Sequence, residues 1–197
     1  MTTVPQDTLL LLYHTGFSVI PAPDLNVGRR NADFGQGFYL SDDGAFSRRW
    51  ARTRKGQTTY LNRYTLDLAG LSVMRFDRDR AWYDYVFANR AGREDALAAF
   101  DVIVGPIAND TLYDTWGILT SGLLPPETAL RLLCVGPLYR QTVVKTEKAA
   151  RALRFLGAEP IPETEIEIFR AVVREEEARF QAAFAETIES LPDLADA

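Results

Sequence analysis

Asp33-Phe34-Gly35-Gln36-Gly37-Phe38-Tyr39-Leu40 lies downstream of the chain's only histidine, His14 in Leu12-Tyr13-His14-Thr15-Gly16. Glycines at 35 and 37 imply backbone that turns sharply or runs close to a neighbour, and Phe38-Tyr39-Leu40 has the aromatic and apolar content of a strand. One strand end would then carry His14 and another Tyr39. That pairing suits a flat nitrogenous ring held between hydrogen-bonding and stacking groups.

A length of 197 residues suits one compact domain with an appended helix. A hydrophobic content of 47% with 25% charged residues is that of an ordinary globular chain. The formal net charge of -5 disfavours a general nucleic-acid-coating role while leaving room for a local basic patch. Cys134 is the single cysteine, so no intrachain disulfide and no Cys/His metal cluster can form. Its apolar neighbours make it a buried filler in a strand. The start lacks the basic region of a signal peptide and Thr8 to Leu12 is too short to span a bilayer, so the expectation is a cytoplasmic protein with no membrane partner.

Along the chain, Leu9 to Tyr13 reads as a buried first strand and Pro21 to Asn31 as a loop entering the glycine turn. Ser41-Asp42-Asp43 can cap a helix through Ala45, Phe46, Arg49 and Trp50. Thr58 to Val73 reads as extended segments broken near Gly70, and Trp82 to Asn89 as a helix with Trp82, Tyr85 and Val86 on one face. A strand over Val102 to Ile107, a helix over Pro126 to Leu133, a strand over Gln141 to Thr146 and a short helix over Glu147 to Leu156 complete the core. From Glu163 to Leu191, Ile166, Phe169, Val173, Phe180, Phe184 and Ile188 recur at helical intervals, predicting one amphipathic helix that packs on the domain or offers a dimer surface. The organisation is therefore a domain over 1–160 and a C-terminal helical extension over 161–197.

Most familiar catalytic patterns are absent. One histidine gives no His-rich metal site, no G-x-S-x-G elbow or P-loop occurs, and the spacing of Gly28, Gly35 and Gly37 does not match G-x-G-x-x-G.

The segments Tyr13-His14-Thr15-Gly16 and Gly35-Gln36-Gly37-Phe38-Tyr39 resemble the first two signature strands of the ADP-ribosyltransferase superfamily in its His-Tyr-Glu branch, which includes the diphtheria-type toxins and the poly(ADP-ribose) polymerases. Gln36 stands where that turn usually has lysine. A narrower resemblance, over roughly residues 8 to 157, is to a bacterial domain-of-unknown-function family regarded as ADP-ribosyltransferase-like and often encoded beside small antitoxin-like partners. It adds Arg49-Trp50-Ala51, the run Phe100 to Asp110 and the run Gln141 to Ala149.

The resemblance implies an α+β fold, a split and mostly antiparallel β-sheet core with flanking helices, using NAD+ as co-substrate and no metal. It implies that His14 bonds a ribose hydroxyl, that Thr15 and Gly16 meet the carboxamide, and that Tyr39 stacks on nicotinamide within the turn formed by Gly37 and Phe38. Ser47 would reach the same amide, and Arg29 or Arg30 the pyrophosphate. Asp110 is a further binding candidate. The superfamily's third position is a glutamate at the start of a late strand, and Gln141 is the positional match. A neutral amide can bond the ribose but supplies no negative charge, which leaves Asp110 or Glu147 as alternative carboxylates.

The expected function is mono-ADP-ribosyl transfer from NAD+ to a protein or nucleic-acid acceptor with release of nicotinamide, in a toxin whose partner is a small antitoxin. The alternatives are an NAD+ hydrolase and a catalytically weak NAD+/ADP-ribose-binding module. A phosphate-removing RNA enzyme on the related fold is disfavoured, because the additional basic residues it needs near the site are missing.

Overall fold

A computed structural model describes residues 8–108 and 125–190. In chain order its elements are β1 (Leu9–Gly16), β2 (Phe38–Leu40), α1 (Gly44–Arg49), β3 (Thr59–Asp67), β4 (Val73–Arg75), α2 (Arg80–Arg90), β5 (Val102–Pro106), α3 (Pro126–Leu133), β6 (Arg140–Val144), α4 (Glu147–Ala152), β7 (Leu153–Ile161) and α5 (Glu163–Glu189). The class is α+β. Helix starts follow local chemistry: Asp43, Asp79 and Thr146 each accept a backbone N–H of the first turn of α1, α2 and α4.

The strands form two sheets, one ordered β1-β3-β7 and wholly antiparallel, the other ordered β2-β6-β5-β4 with a parallel β4-β5 pair. Among the described residues a single bridge joins them, in which Tyr13 and Ser41 exchange backbone hydrogen bonds of 2.8 and 3.0 Å. Between the sheets lie Leu12, Phe38, Leu40, Tyr64, Leu66, Val102, Val104 and Val144. On the far face of the four-stranded sheet, Phe34, Ile103 and Val143 meet Trp82, Tyr85 and Val86 of α2 and Phe180 and Phe184 of α5. Period-two alternation on β5 and β6 thus feeds two apolar layers, which is why both strands are buried throughout apart from Arg140.

The predicted C-terminal helix forms, and its Phe180 and Phe184 belong to the same core as Phe34 and Trp82. Burial of each contributes on the order of 1.5–3 kcal/mol. Arg48–Glu165 at 2.7 Å and Arg49–Glu176 at 2.6 Å also tie α1 to α5. No helix among the described residues is long and apolar enough to cross a membrane.

Three expectations change. Only Leu12 of the run Leu9 to Tyr13 is fully buried, and Leu9 and Leu11 are exposed because the three-stranded sheet packs through one face. The helix expected over Glu147 to Leu156 stops at Ala152, and β7 follows. Gly157 and Pro160 within that strand hide it from a reading of local pattern. It lies at a sheet edge, where a missing N–H is tolerated, and Gly157 (φ 137°) sits at the register shift opposite Arg63 and Tyr64. Cys134 is half-buried at the C-terminal cap of α3, outside any strand.

Candidate functional site

Where β1 and β2 separate beyond the Tyr13–Ser41 bridge, a cleft of about 770 Å³ opens. Tyr13, His14 and Thr15 come from β1, Tyr39 and Leu40 from β2, Phe46 and Ser47 from α1, Arg90 from α2 and Gln141 from β6. Arg29, Asn31 and Asp33 enter from the loop before β2.

His14 is fixed on three sides. Its Nδ1 lies 2.8 Å from the Tyr39 carbonyl, which can only accept, so Nδ1 carries the proton and Nε2 is left as an acceptor. Its ring packs on Phe38 at 4.6 Å, and its carbonyl accepts from Asn62 Nδ2 at 3.4 Å. Burial pushes the imidazole below its ordinary value of 6.5, outweighing the opposing effect of the Tyr39 carbonyl. The ring is therefore neutral at physiological pH. Asn62, fully buried on β3, also bonds Ser18 O at 3.0 Å and Ile20 N at 2.9 Å, clamping the chain just past His14.

Tyr39 is anchored through its phenol. The hydroxyl donates to Gly35 O at 2.7 Å and accepts from Phe34 N at 3.0 Å, so the ring is locked to the glycine turn that precedes it. Burial raises the phenol above its ordinary value, and it stays protonated. From the other side, buried Lys145 donates to Phe34 O and pairs with Asp95. Gly35 has φ +71°, and a Cβ there would collide with Asp95. Gly37 is required for a different reason: its Cβ would lie 2.7 Å from both Val143 Cγ1 and Val144 O. The turn is shaped by close packing on β6 as much as by backbone freedom.

Gln141 is buried at the start of β6, with Nε2 donating to Asp33 Oδ2 at 3.1 Å and to Pro106 O at 3.4 Å. Both partners are acceptors, which sets the amide orientation and leaves Oε1 as an acceptor. Asp33 in turn accepts Arg90 Nε and Nη2 on Oδ1 at 2.6 and 2.5 Å, and the Ala108 N–H on Oδ2 at 3.3 Å. Thr15 Oγ1 donates to Ser47 O at 2.6 Å, holding α1 against β1.

The structure brings His14, Thr15, Arg29, Tyr39, Ser47 and Gln141 onto one cleft. Gly16 flanks it, where a Cβ would meet His14 Nε2 at 3.3 Å. Arg29 and Arg30 are separated: Arg29 lines the cleft, whereas Arg30 lines a second cavity on the other side of the turn. Gly37 and Phe38 sit behind the site, Gly37 against β6 and Phe38 between His14 and Tyr64. Asp110 lies outside the described residues, and Glu147 is an exposed residue in the first turn of α4 that does not line the cleft. Sequence reasoning missed the Asp33–Arg90 pair. Asp33 stands inside the glycine motif, but only the fold brings the last turn of α2 to it.

The cleft thus offers an imidazole acceptor, an aromatic ring, an amide acceptor beside a paired carboxylate, and an arginine at its rim. Such a set can bind a polar ring and hydroxyl groups together with an anion. No curated protein matches the chain, and neither does any solved structure. Residues 10–155 match the model of the family described as Protein of unknown function (DUF3990), and this chain belongs to that family.

Proposed function

We propose that the cleft binds NAD+ and that the protein is a mono-ADP-ribosyltransferase modifying a macromolecular acceptor. The observation that carries this reading is the convergence of His14, Tyr39 and Gln141, from three strands of two sheets, on one cleft. Each meets a distinct demand of cleaving a nicotinamide–ribose bond. Neutral His14 presents Nε2 to a ribose hydroxyl, the Tyr39 ring offers a stacking face, and Gln141 Oε1 accepts a second hydroxyl. Arg29 supplies the charge for a pyrophosphate.

Positive charge builds on the ribose as the leaving group departs, so a nearby negative charge assists. The carboxylate lining the cleft among the described residues is Asp33, and Arg90 neutralises much of it. That observation favours slow transfer, and it keeps a second reading: a module that holds NAD+ or ADP-ribose with little turnover. The residues resemble the ADP-ribosyltransferase core in order and in type, and the toxin setting with a small antitoxin partner rests on that resemblance alone.

The test is incubation of the protein with NAD+ labelled in the adenylate half and cell lysate, comparing wild type with His14→Ala and Tyr39→Ala. Label on a macromolecule that disappears in both variants supports transfer. Free ADP-ribose without label on any acceptor identifies a hydrolase, and NAD+ binding with no nicotinamide release identifies the binding module. Absence of binding to both NAD+ and ADP-ribose ends all three readings.

A further inference from the structure

The second cavity, of about 440 Å³, lies on the opposite side of the glycine turn and shares Asn31 with the larger cleft. Its lining carries three cations, Arg30, Arg93 and Lys145, against one carboxylate, Asp95. This excess of positive charge stands in a chain of net charge -5. Asp95 is spent: it pairs with Lys145 and accepts the Tyr85 hydroxyl at 2.7 Å and the Leu97 N–H at 3.0 Å.

Lys145 is the informative group, since its side chain is only 3% exposed. An ammonium has three N–H donors, of which Phe34 O and Asp95 take two. The third has no partner among the described residues, an uncommon state for a buried charged donor. Arg30 and Arg93 are exposed and make no ion pair among the described residues, while the Arg93 guanidinium rests 5.9 Å from the Phe87 ring centroid, an arrangement that leaves its in-plane N–H groups available.

We propose that this second cavity is a phosphate site, in which a phosphate monoester or diester is held by Arg30, Arg93 and the remaining N–H of Lys145. Planar guanidinium forks match phosphate oxygens, and the buried ammonium that lines the same cavity adds a point charge. The site is separate from the proposed NAD+ cleft and stands whether or not that cleft takes NAD+.

The test is titration of the full chain with inorganic phosphate, followed by amide chemical shifts of Gly35 and Gly92, beside the cavity. Saturable binding is expected, weakened about tenfold by Arg30→Ala and by Arg93→Ala, weakened by added salt, and unaffected at these amides by Arg29→Ala. Both substitutions are at exposed positions, so loss of fold does not confuse the result. Oligonucleotides with a 5′-phosphate or a 5′-hydroxyl separate the sources. Preference for the first supports a monoester, and equal binding that both variants weaken supports a backbone diester. The proposal is overturned if phosphate does not saturate, if neither Arg30→Ala nor Arg93→Ala weakens it, or if Arg29→Ala removes the shifts at Gly35 and Gly92.

Discussion

Gln141 donates its amide to Asp33 across 3.1 Å, so the residue at the start of β6 is matched to a carboxylate. Replacing it by Gln141→Glu sets two carboxyl groups at hydrogen-bonding distance in a buried site, where they cannot both ionise without cost. Keeping one proton on the pair relieves that cost, of which the Arg90 guanidinium on Asp33 Oδ1 offsets only a part. The penalty is therefore absent where both carboxyls are protonated, below about pH 4, and grows as pH rises above it. Thermal melts from pH 4 to 8 check this, and a difference from wild type that is flat across that range contradicts it. The same variant is expected to bind NAD+ more weakly at pH 8, not better.

His14 is the chain's only histidine, so its titration can be followed without assignment ambiguity. With Nδ1 donating to the Tyr39 carbonyl and burial lowering its value, the ring stays neutral until the pH drops below 6.5. Its contribution to stability is complete above 6.5 and is lost as pH falls through the depressed folded value. Long-range nitrogen NMR is expected to show the Nδ1–H tautomer at pH 7. A midpoint at or above 6.5, or the Nε2–H tautomer, refutes the arrangement. In the proposed NAD+ complex, where unprotonated Nε2 accepts a ribose hydroxyl, affinity is expected to be constant from pH 7 to 8 and to decline below the same midpoint.

Much of this architecture is written in local pattern. Asp43 announces α1, aromatics at helical spacing mark α2, a short apolar run marks β5, and the aromatic spacing of α5 predicts the face that meets Trp82. The burial of β1 and the existence of β7 resist such reading for physical reasons. The run of β1 is apolar all along yet half exposed, and β7 pairs through a bulge at an edge, where glycine and proline carry no penalty. The site divides in the same way. His14 and Tyr39 stand in short motifs, whereas Arg90 becomes a partner of Asp33 only because α2 packs behind the glycine turn. The separation of Arg29 from Arg30 likewise depends on which side of that turn each lines, and adjacency in sequence hides it.

Glycines of the turn are expected to be far less replaceable than those of exposed loops. Gly35→Ala meets both positive φ and Asp95, and Gly37→Ala meets Val143 and Val144. Each is expected to cost at least about 2 kcal/mol from strain and overpacking. Gly70, with φ +72° and no atom within 4 Å of an added Cβ, is the control, at about 1 kcal/mol. Denaturant midpoints order the three, and a Gly70→Ala loss equal to that of Gly37→Ala shows that packing on β6 is unimportant.

Tyr39 performs two tasks that substitution can separate. Its hydroxyl bridges Phe34 N and Gly35 O, while its ring lines the cleft. Tyr39→Phe removes the bridge and leaves the Phe34 N–H without that partner, an expected loss of about 1–3 kcal/mol. The ring, and with it the stacking face, is retained, so NAD+ affinity is expected to fall by less than about fivefold in the folded variant. Tyr39→Ala removes the face as well, and a stacking contribution of about 1–1.5 kcal/mol corresponds to a further loss near tenfold. Melting temperature and NAD+ titration, measured on the same two variants, tell the tasks apart. If Tyr39→Phe and Tyr39→Ala bind NAD+ equally well while both fold, Tyr39 serves the turn alone and stacking belongs to another ring of the cleft, Phe46 or Trp50.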